Sequence, residues 1–212
     1  MQNILIFGAT SAMAHAAATR FARSGARFFL VGRNDARLRA NADDLRVHGA
    51  AFVACATLDI NDRDRHDAVL DDAVEALGEL DIVLVAHGTL PEQPRTERDL
   101  DYAIAEFETN ATSTIALLIH IANRLEQQGV GTLAVISSVA GDRGRKSNYL
   151  YGAAKAAVTT FTSGLRGRLH QAGVSVVTIK PGLIDTPMTA HLKKGPLFTT
   201  SEQAGQEIHN AI

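Results

Sequence analysis

Tyr151 and Lys155 are four residues apart. On a helix that spacing sets both side chains on one face, one turn from each other. A free phenol titrates near about 10, and a fixed cation beside it favours the phenolate and lowers that value. The pair is therefore a candidate proton donor. Ser138 precedes Tyr151 by thirteen residues and follows the apolar run Leu133-Ala134-Val135-Ile136. That run reads as a strand, and open parallel sheets present ligand-binding residues at strand ends. Tyr and Lys at this spacing also occur on solvated helix faces, so the elements around them have to decide.

Those elements alternate. Short apolar runs at Asn3–Phe7, 27–31, 51–56, 81–86, 132–136 and 174–179 read as strands buried on both faces. Between them lie helical patterns at 12–24, 35–48, 62–77, 97–128 (two helices meeting near Asn110) and 148–172, several stopped by glycine. Residues 183–199 read as a loop or lid, and 201–212 as a helix capped by Ser201. Six alternations of strand and helix predict an α/β fold: a Rossmann-type, doubly wound parallel sheet in three α/β/α layers. No composition break marks a second domain, so 1–212 reads as one nucleotide-binding domain with a substrate loop at about 183–200.

The chain has 212 residues, 46% of them hydrophobic, and a formal net charge of −2. This charge gives no electrostatic case for a nucleic acid or an anionic membrane as partner. Cys55 is the only cysteine, so no intrachain disulfide can form. No apolar run approaches the roughly 20 residues of a membrane span, and no signal peptide is visible. The expected location is the cytoplasm.

Gly8-Ala9-Thr10-Ser11-Ala12-Met13-Ala14 joins the first strand to the first helix. A glycine there allows a tight turn, and the helix N-terminus offers free N–H groups to a pyrophosphate. Ala12 and Ala14 stand where glycines are usual. An ordinary strand–helix turn is the competing reading. Arg33 follows the second strand, near where an adenosine ribose would lie, and a guanidinium suits a 2′-phosphate. NADP(H) is therefore expected, with NAD(H) as the alternative. Asp59, after the third strand, could accept from the adenine amino group.

In this order the residues resemble the short-chain dehydrogenase/reductase family over essentially the whole chain. The likeness rests on the Gly8 loop, Asp59-Ile60, Ala86-His87-Gly88, Asn110, Ser138, Tyr151, Lys155, and Pro181-Gly182 with Thr186. The family then implies roles. Tyr151 is the general acid or base, and Lys155 binds the nicotinamide ribose and holds the phenol pKa down. Ser138 hydrogen-bonds the substrate oxygen, and Asn110 holds a water linked to Lys155. Thr186 and the backbone near Ile184 meet the carboxamide end of the cofactor. A homodimer or homotetramer through the helices after Asn110 and Asn148 is implied as well.

The departures are specific. Val85-Ala86-His87-Gly88 replaces the usual Asn-Asn-Ala-Gly, with His87 either at the cofactor or structural; no metal-ligand constellation recruits it. Phe7 stands where a threonine is usual. Ser138 to Tyr149 and Thr186 to Lys193 are similar to the decaprenylphosphoryl-2-keto-ribose reductase-like branch, which would make the substrate a phosphorylated or lipid-linked sugar. Arg143, Arg145, Lys146, Lys193 and Lys194 are expected near the site mouth. The family usually continues with another strand and a tail, so a missing C-terminal segment is expected. The function expected is interconversion of a ketone and a secondary alcohol. A non-catalytic dinucleotide-binding regulator is the alternative. A sugar-nucleotide epimerase shares the Tyr–Lys device but needs a longer chain.

Overall fold

A computed structural model describes all residues, Met1–Ile212. Six strands form one parallel sheet: β1 (Asn3–Phe7), β2 (Arg27–Gly32), β3 (Phe52–Thr57), β4 (Ile82–Val85), β5 (Gly131–Ile136) and β6 (Val174–Ile179), in the order β3-β2-β1-β4-β5-β6. The order reverses between β1 and β4, and in open α/β sheets ligands bind outside the strand C-termini at that switch point. The helices are α1 (Ala12–Ala22), α2 (Asp35–Val47), α3 (His66–Leu77), the single turn α4 (Gln93–Thr96), α5 (Leu100–Phe107), α6 (Ser113–Gln128), α7 (Tyr149–His170) and α8 (Ser201–Ala211).

Period-2 alternation splits the strands between two cores. Leu5, Phe7, Val83 and Val85 face one, where α3, α6 and α7 supply Leu70, Leu117 and Leu165. Ile4, Ile6, Ile82 and Leu84 face the other, covered by Ala17 and Phe21 of α1, Leu38 of α2 and Ile208 of α8. With apolar surface on both faces the strands have no solvated side, which is why they read as continuous apolar runs.

Three expectations are corrected. The 183–199 segment is not a plain loop: β7 (Leu183–Asp185) pairs in parallel with β8 (Phe198–Thr200), with a 3₁₀ turn at Pro187–Thr189 between them. Three-residue strands are too short to show a period. Thr200, not Ser201, caps α8: its hydroxyl accepts from Gln203 N–H, and the Gln203 side chain accepts from Thr200 N–H. The Thr-x-x-Gln spacing is a capping box; Ser201 has Ala204 at that offset. The 97–128 pattern is, as expected, two helices meeting at Asn110: α5 and α6, joined by a π turn at Glu108–Thr112 that carries Asn110. The stretch Pro91 to Pro94 reads in the sequence as a polar loop, but α4 starts inside it at Gln93, with Pro94 in its first turn, where the missing N–H costs nothing.

Candidate active site

The C-terminal ends of the strands open onto one cavity of about 1030 Å³. At one end lies the β1–α1 turn. Gly8 has φ +77°, and a Cβ on it would stand 2.4 Å from the His87 nitrogen and 2.7 Å from the Ala86 carbonyl carbon. Only glycine lets this turn lie against the end of β4. Ser11 caps α1 by accepting from Ala14 N–H at 3.5 Å, while the Ala12 and Met13 N–H groups have no partner in the chain. A helix N-terminus with free N–H groups is an anion site. Along the same wall Leu58 and Ile60 are buried and apolar.

Arg33, just past β2, and Arg37, on the first turns of α2, both line this end. Arg33 Nη1 is 4.0 Å from Asp59 Oδ2, with both side chains at least half exposed. Such a contact is worth little in water and leaves the guanidinium available. Asp59 itself does not line the cavity, and its other oxygen accepts from Asn61 N–H at 3.0 Å.

At the other end α7 brings up Tyr151 and Lys155. The 3₁₀ turn Val139–Gly141 presses directly on α7. Cβ atoms on Gly141 and Gly152 would stand 2.7 Å from Ala156 N and Ala140 O, so glycine permits this approach. Ser137 Oγ ties the end of β5 to α7 by donating to Lys155 O at 3.0 Å. Ser138 is buried, and its Oγ accepts from Ala140 N–H at 3.1 Å, leaving its own proton free to donate.

Lys155 is only 4% exposed. Its Nζ donates to Ile136 O at 3.3 Å and lies 5.7 Å from the centre of the Tyr151 ring. Burial pushes its pKa down from 10.5 to about 8, because desolvation disfavours the ammonium. Tyr151 reverses an expectation. Burial pushes the phenol above its ordinary value, and the nearby Ser138 hydroxyl draws it only part of the way back. Lys155 supplies none of the lowering expected of it, and desolvation sets the direction.

His87 is wedged between the two ends. Thr114 Oγ1 donates to Thr109 O at 3.3 Å, so it accepts from His87 Nε2–H at 2.8 Å, which fixes the tautomer. Burial, reinforced by Lys155, pushes the His87 pKa down to about 3. The ring stays neutral at ordinary pH, with Nδ1 buried and unpartnered.

Every residue expected at the cofactor or the reacting atoms lines the cavity except Asp59 and Asn110. Asn110 is 1% exposed and lies behind Gly88. Of the five cations expected at the mouth, only Arg145 lines the cavity. Lys194 is paired with Asp185 at 2.6 Å. The neighbouring Asp142 is held by Lys180 at 2.7 Å, so Arg145 has no acidic partner. Arg37, Leu58, Thr89 and Asn148 also line the cavity and were not expected there. The one signal for Arg37 is its place four residues after Arg33, on a helix it helps to begin.

A family profile described as short chain dehydrogenase matches residues 2–196. Uncharacterized oxidoreductase Rv2073c of Mycobacterium tuberculosis is 35% identical over 209 residues, 99% of this chain and 84% of that protein. An uncharacterized oxidoreductase encoded in the mprA 5′ region of Streptomyces coelicolor is 36% identical, over 89% of this chain and 74% of that protein. Among solved structures, a short-chain type dehydrogenase/reductase from Mycobacterium ulcerans superposes with a TM-score of 0.91 at 23% identity, covering 99% of this chain and 82% of that one. A variant of the actinorhodin polyketide ketoreductase with NADPH gives 0.88 at 21% identity, covering 99% and 90%. At those identities the structural likenesses speak for the fold.

Proposed function

The chain belongs to the short-chain dehydrogenase family, and we propose that it is an NADP(H)-dependent oxidoreductase interconverting a ketone and a secondary alcohol. The observation that carries the reading is the sharing of one cavity by Ser138, Tyr151 and Lys155 at one end and the Gly8 turn with Arg33 and Arg37 at the other.

The Gly8 turn and the free Ala12 and Met13 N–H groups fit a pyrophosphate. Arg33 and Arg37 fit a 2′-phosphate, and Leu58 and Ile60 an adenine ring. The ketoreductase that superposes on this chain is described with NADPH; the two arginines are this chain's own reason for the same choice. When bound, the dinucleotide supplies or accepts the hydride. The residues do the rest. Burial keeps the Tyr151 phenol protonated at neutral pH, so it is loaded to donate to a carbonyl oxygen. Ser138 donates its free proton to the same oxygen. Lys155, below its pKa of about 8, is a buried cation that stabilises the tyrosinate as it forms. Ile184 and Thr186 close the far side of the cavity.

A second, finer reading makes the substrate a phosphorylated or lipid-linked keto-sugar. It is favoured by the unpaired Arg145 in the cavity wall, and by the partly exposed Leu183, Met188 and Leu197, which line the same cavity. A homodimer or homotetramer is proposed through α6 and α7, and a cytoplasmic location. No helix is long and apolar enough to cross a membrane.

The test is a panel of ketones, keto-sugar phosphates included, followed by loss of reduced-nicotinamide absorbance with NADPH and with NADH. Turnover with an NADPH preference is expected. Dinucleotide binding by calorimetry without turnover of any ketone or alcohol would favour the non-catalytic regulator instead.

A further inference from the structure

Asn110 is held by contacts that leave no freedom in its amide. Nδ2 donates to Thr89 Oγ1 at 2.8 Å and to Glu106 O at 2.9 Å, which uses both amide hydrogens. Oδ1 accepts from Thr89 N–H at 3.0 Å. Turning the amide over would set an N–H against the Thr89 N–H and an oxygen against the Glu106 carbonyl, so this pattern assigns the orientation. The Thr89 hydroxyl has one proton, which goes to Glu106 Oε2. An ionised carboxylate only accepts, so Glu106 forces Thr89 Oγ1 to present a lone pair to Asn110.

The remaining acceptor face of Asn110 Oδ1 looks toward Gly88. The point where a Cβ would sit on Gly88 lies 3.0 Å from Asn110 Oδ1 and 3.4 Å from Lys155 Nζ. Asn110 Oδ1 and Lys155 Nζ therefore lie against the same side of Gly88. Hydrogen bonds in series polarise one another. A carboxylate at the outer end of Glu106–Thr89–Asn110 makes Oδ1 both more fixed and more negative where it meets the surroundings of Lys155.

We propose that Thr89 and Glu106 are positioning residues: together they lock the Asn110 amide so that its oxygen serves Lys155 during proton transfer. The inference rests on the oxidoreductase reading above. Neither residue touches the phenol, and Glu106 does not line the cavity. Thr89 lines the cavity, and Glu106 reaches it through Thr89 and Asn110. The π turn at Glu108–Thr112 belongs to the same device, since it carries Asn110 while the amide reaches back to the Glu106 carbonyl.

The test compares Glu106→Gln, Thr89→Val and Thr89→Ser in the full chain. Glu106→Gln and Thr89→Val should each lower kcat by roughly tenfold or more, the weight of one half-buried charge-assisted hydrogen bond. KM and the calorimetric Kd for NADPH should stay within about threefold, because ground-state binding is untouched. Thr89→Ser keeps the hydroxyl and should restore kcat to within about threefold of wild type. Independently of turnover, hydrogen exchange of the Thr89 amide, which Asn110 Oδ1 accepts, should quicken in Glu106→Gln. Wild-type kcat in Glu106→Gln would overturn the proposal. So would a Thr89→Ser as impaired as Thr89→Val, or a nucleotide Kd that worsens in step with kcat. If no ketone is turned over by the wild type, the oxidoreductase reading fails, while the amide exchange still decides the lock: unchanged exchange in Glu106→Gln refutes it.

Discussion

Lys155 should weaken the fold it serves. Its ammonium is 4% exposed, donates one hydrogen bond, to Ile136 O, and has no ion-pair partner. The fall in pKa from 10.5 to about 8 corresponds to about 3 kcal/mol of lost stability, at ~1.4 kcal/mol per pH unit. The sign follows from proton counting. Between pH 8 and 10.5 the unfolded chain holds a proton on this lysine that the folded chain has released. Stability from this group therefore rises with pH across that window. Below it both states are charged and the whole penalty applies. Lys155→Met removes the charge and keeps most of the volume, and it forfeits the Ile136 bond, worth about 1 kcal/mol. The variant should be more stable than wild type by about 2 kcal/mol at pH 7. That advantage should vanish at about pH 10, where the remaining penalty equals the lost bond, and reverse above it, and turnover should be abolished. Urea unfolding of both proteins at a series of pH values measures it, since other titrating groups cancel in the difference. A variant less stable than wild type at pH 7, or a difference independent of pH, would refute the reasoning that burial alone sets the state of this lysine.

Tyr151→Phe keeps the ring and removes the acid, so turnover should fall by about a thousandfold or more while calorimetry still finds NADPH binding; persistent activity would remove Tyr151 from the role. Arg33→Asp sets a carboxylate where a 2′-phosphate is proposed. It should weaken NADPH by about a hundredfold and NADH far less, and equal losses would sink the assignment. Gly8→Ala adds a methyl 2.4 Å from the His87 nitrogen at a positive φ. It should lower stability by about 2 kcal/mol or more and weaken both dinucleotides; a wild-type melting curve would show that the β1–α1 turn gives way.

Much of the fold was legible because a sheet covered on both faces leaves unbroken apolar runs, and glycines punctuate the helices between them. All six runs became strands of one sheet; β3 is shifted by one residue, β4 is one residue shorter at each end, and β2 and β5 each gain one. The 183–199 segment was not legible, since β7 and β8 exist only through each other. The cap of α8 was legible and misread: Thr200 with Gln203 is the better box. At the site, residue types and order brought out Ser138, Tyr151 and Lys155. Thr89 carries no local signal, because the hydrogen bonds that join it to Glu106 and to Asn110 run across 17 and 21 residues.

The sequence alone determined the alternation of elements, the place of the Gly8 turn before a helix, and the one-turn spacing of Tyr151 and Lys155. Those are local facts, set by period, by turn chemistry and by helix geometry. Only the tertiary structure decided how the two side chains titrate. Spacing puts a cation near a phenol and predicts a lowered pKa. Packing against β5 and the 3₁₀ turn removes both from water, which lowers the lysine and raises the tyrosine. Desolvation depends on everything that surrounds a group at once, and no interval along the chain encodes it.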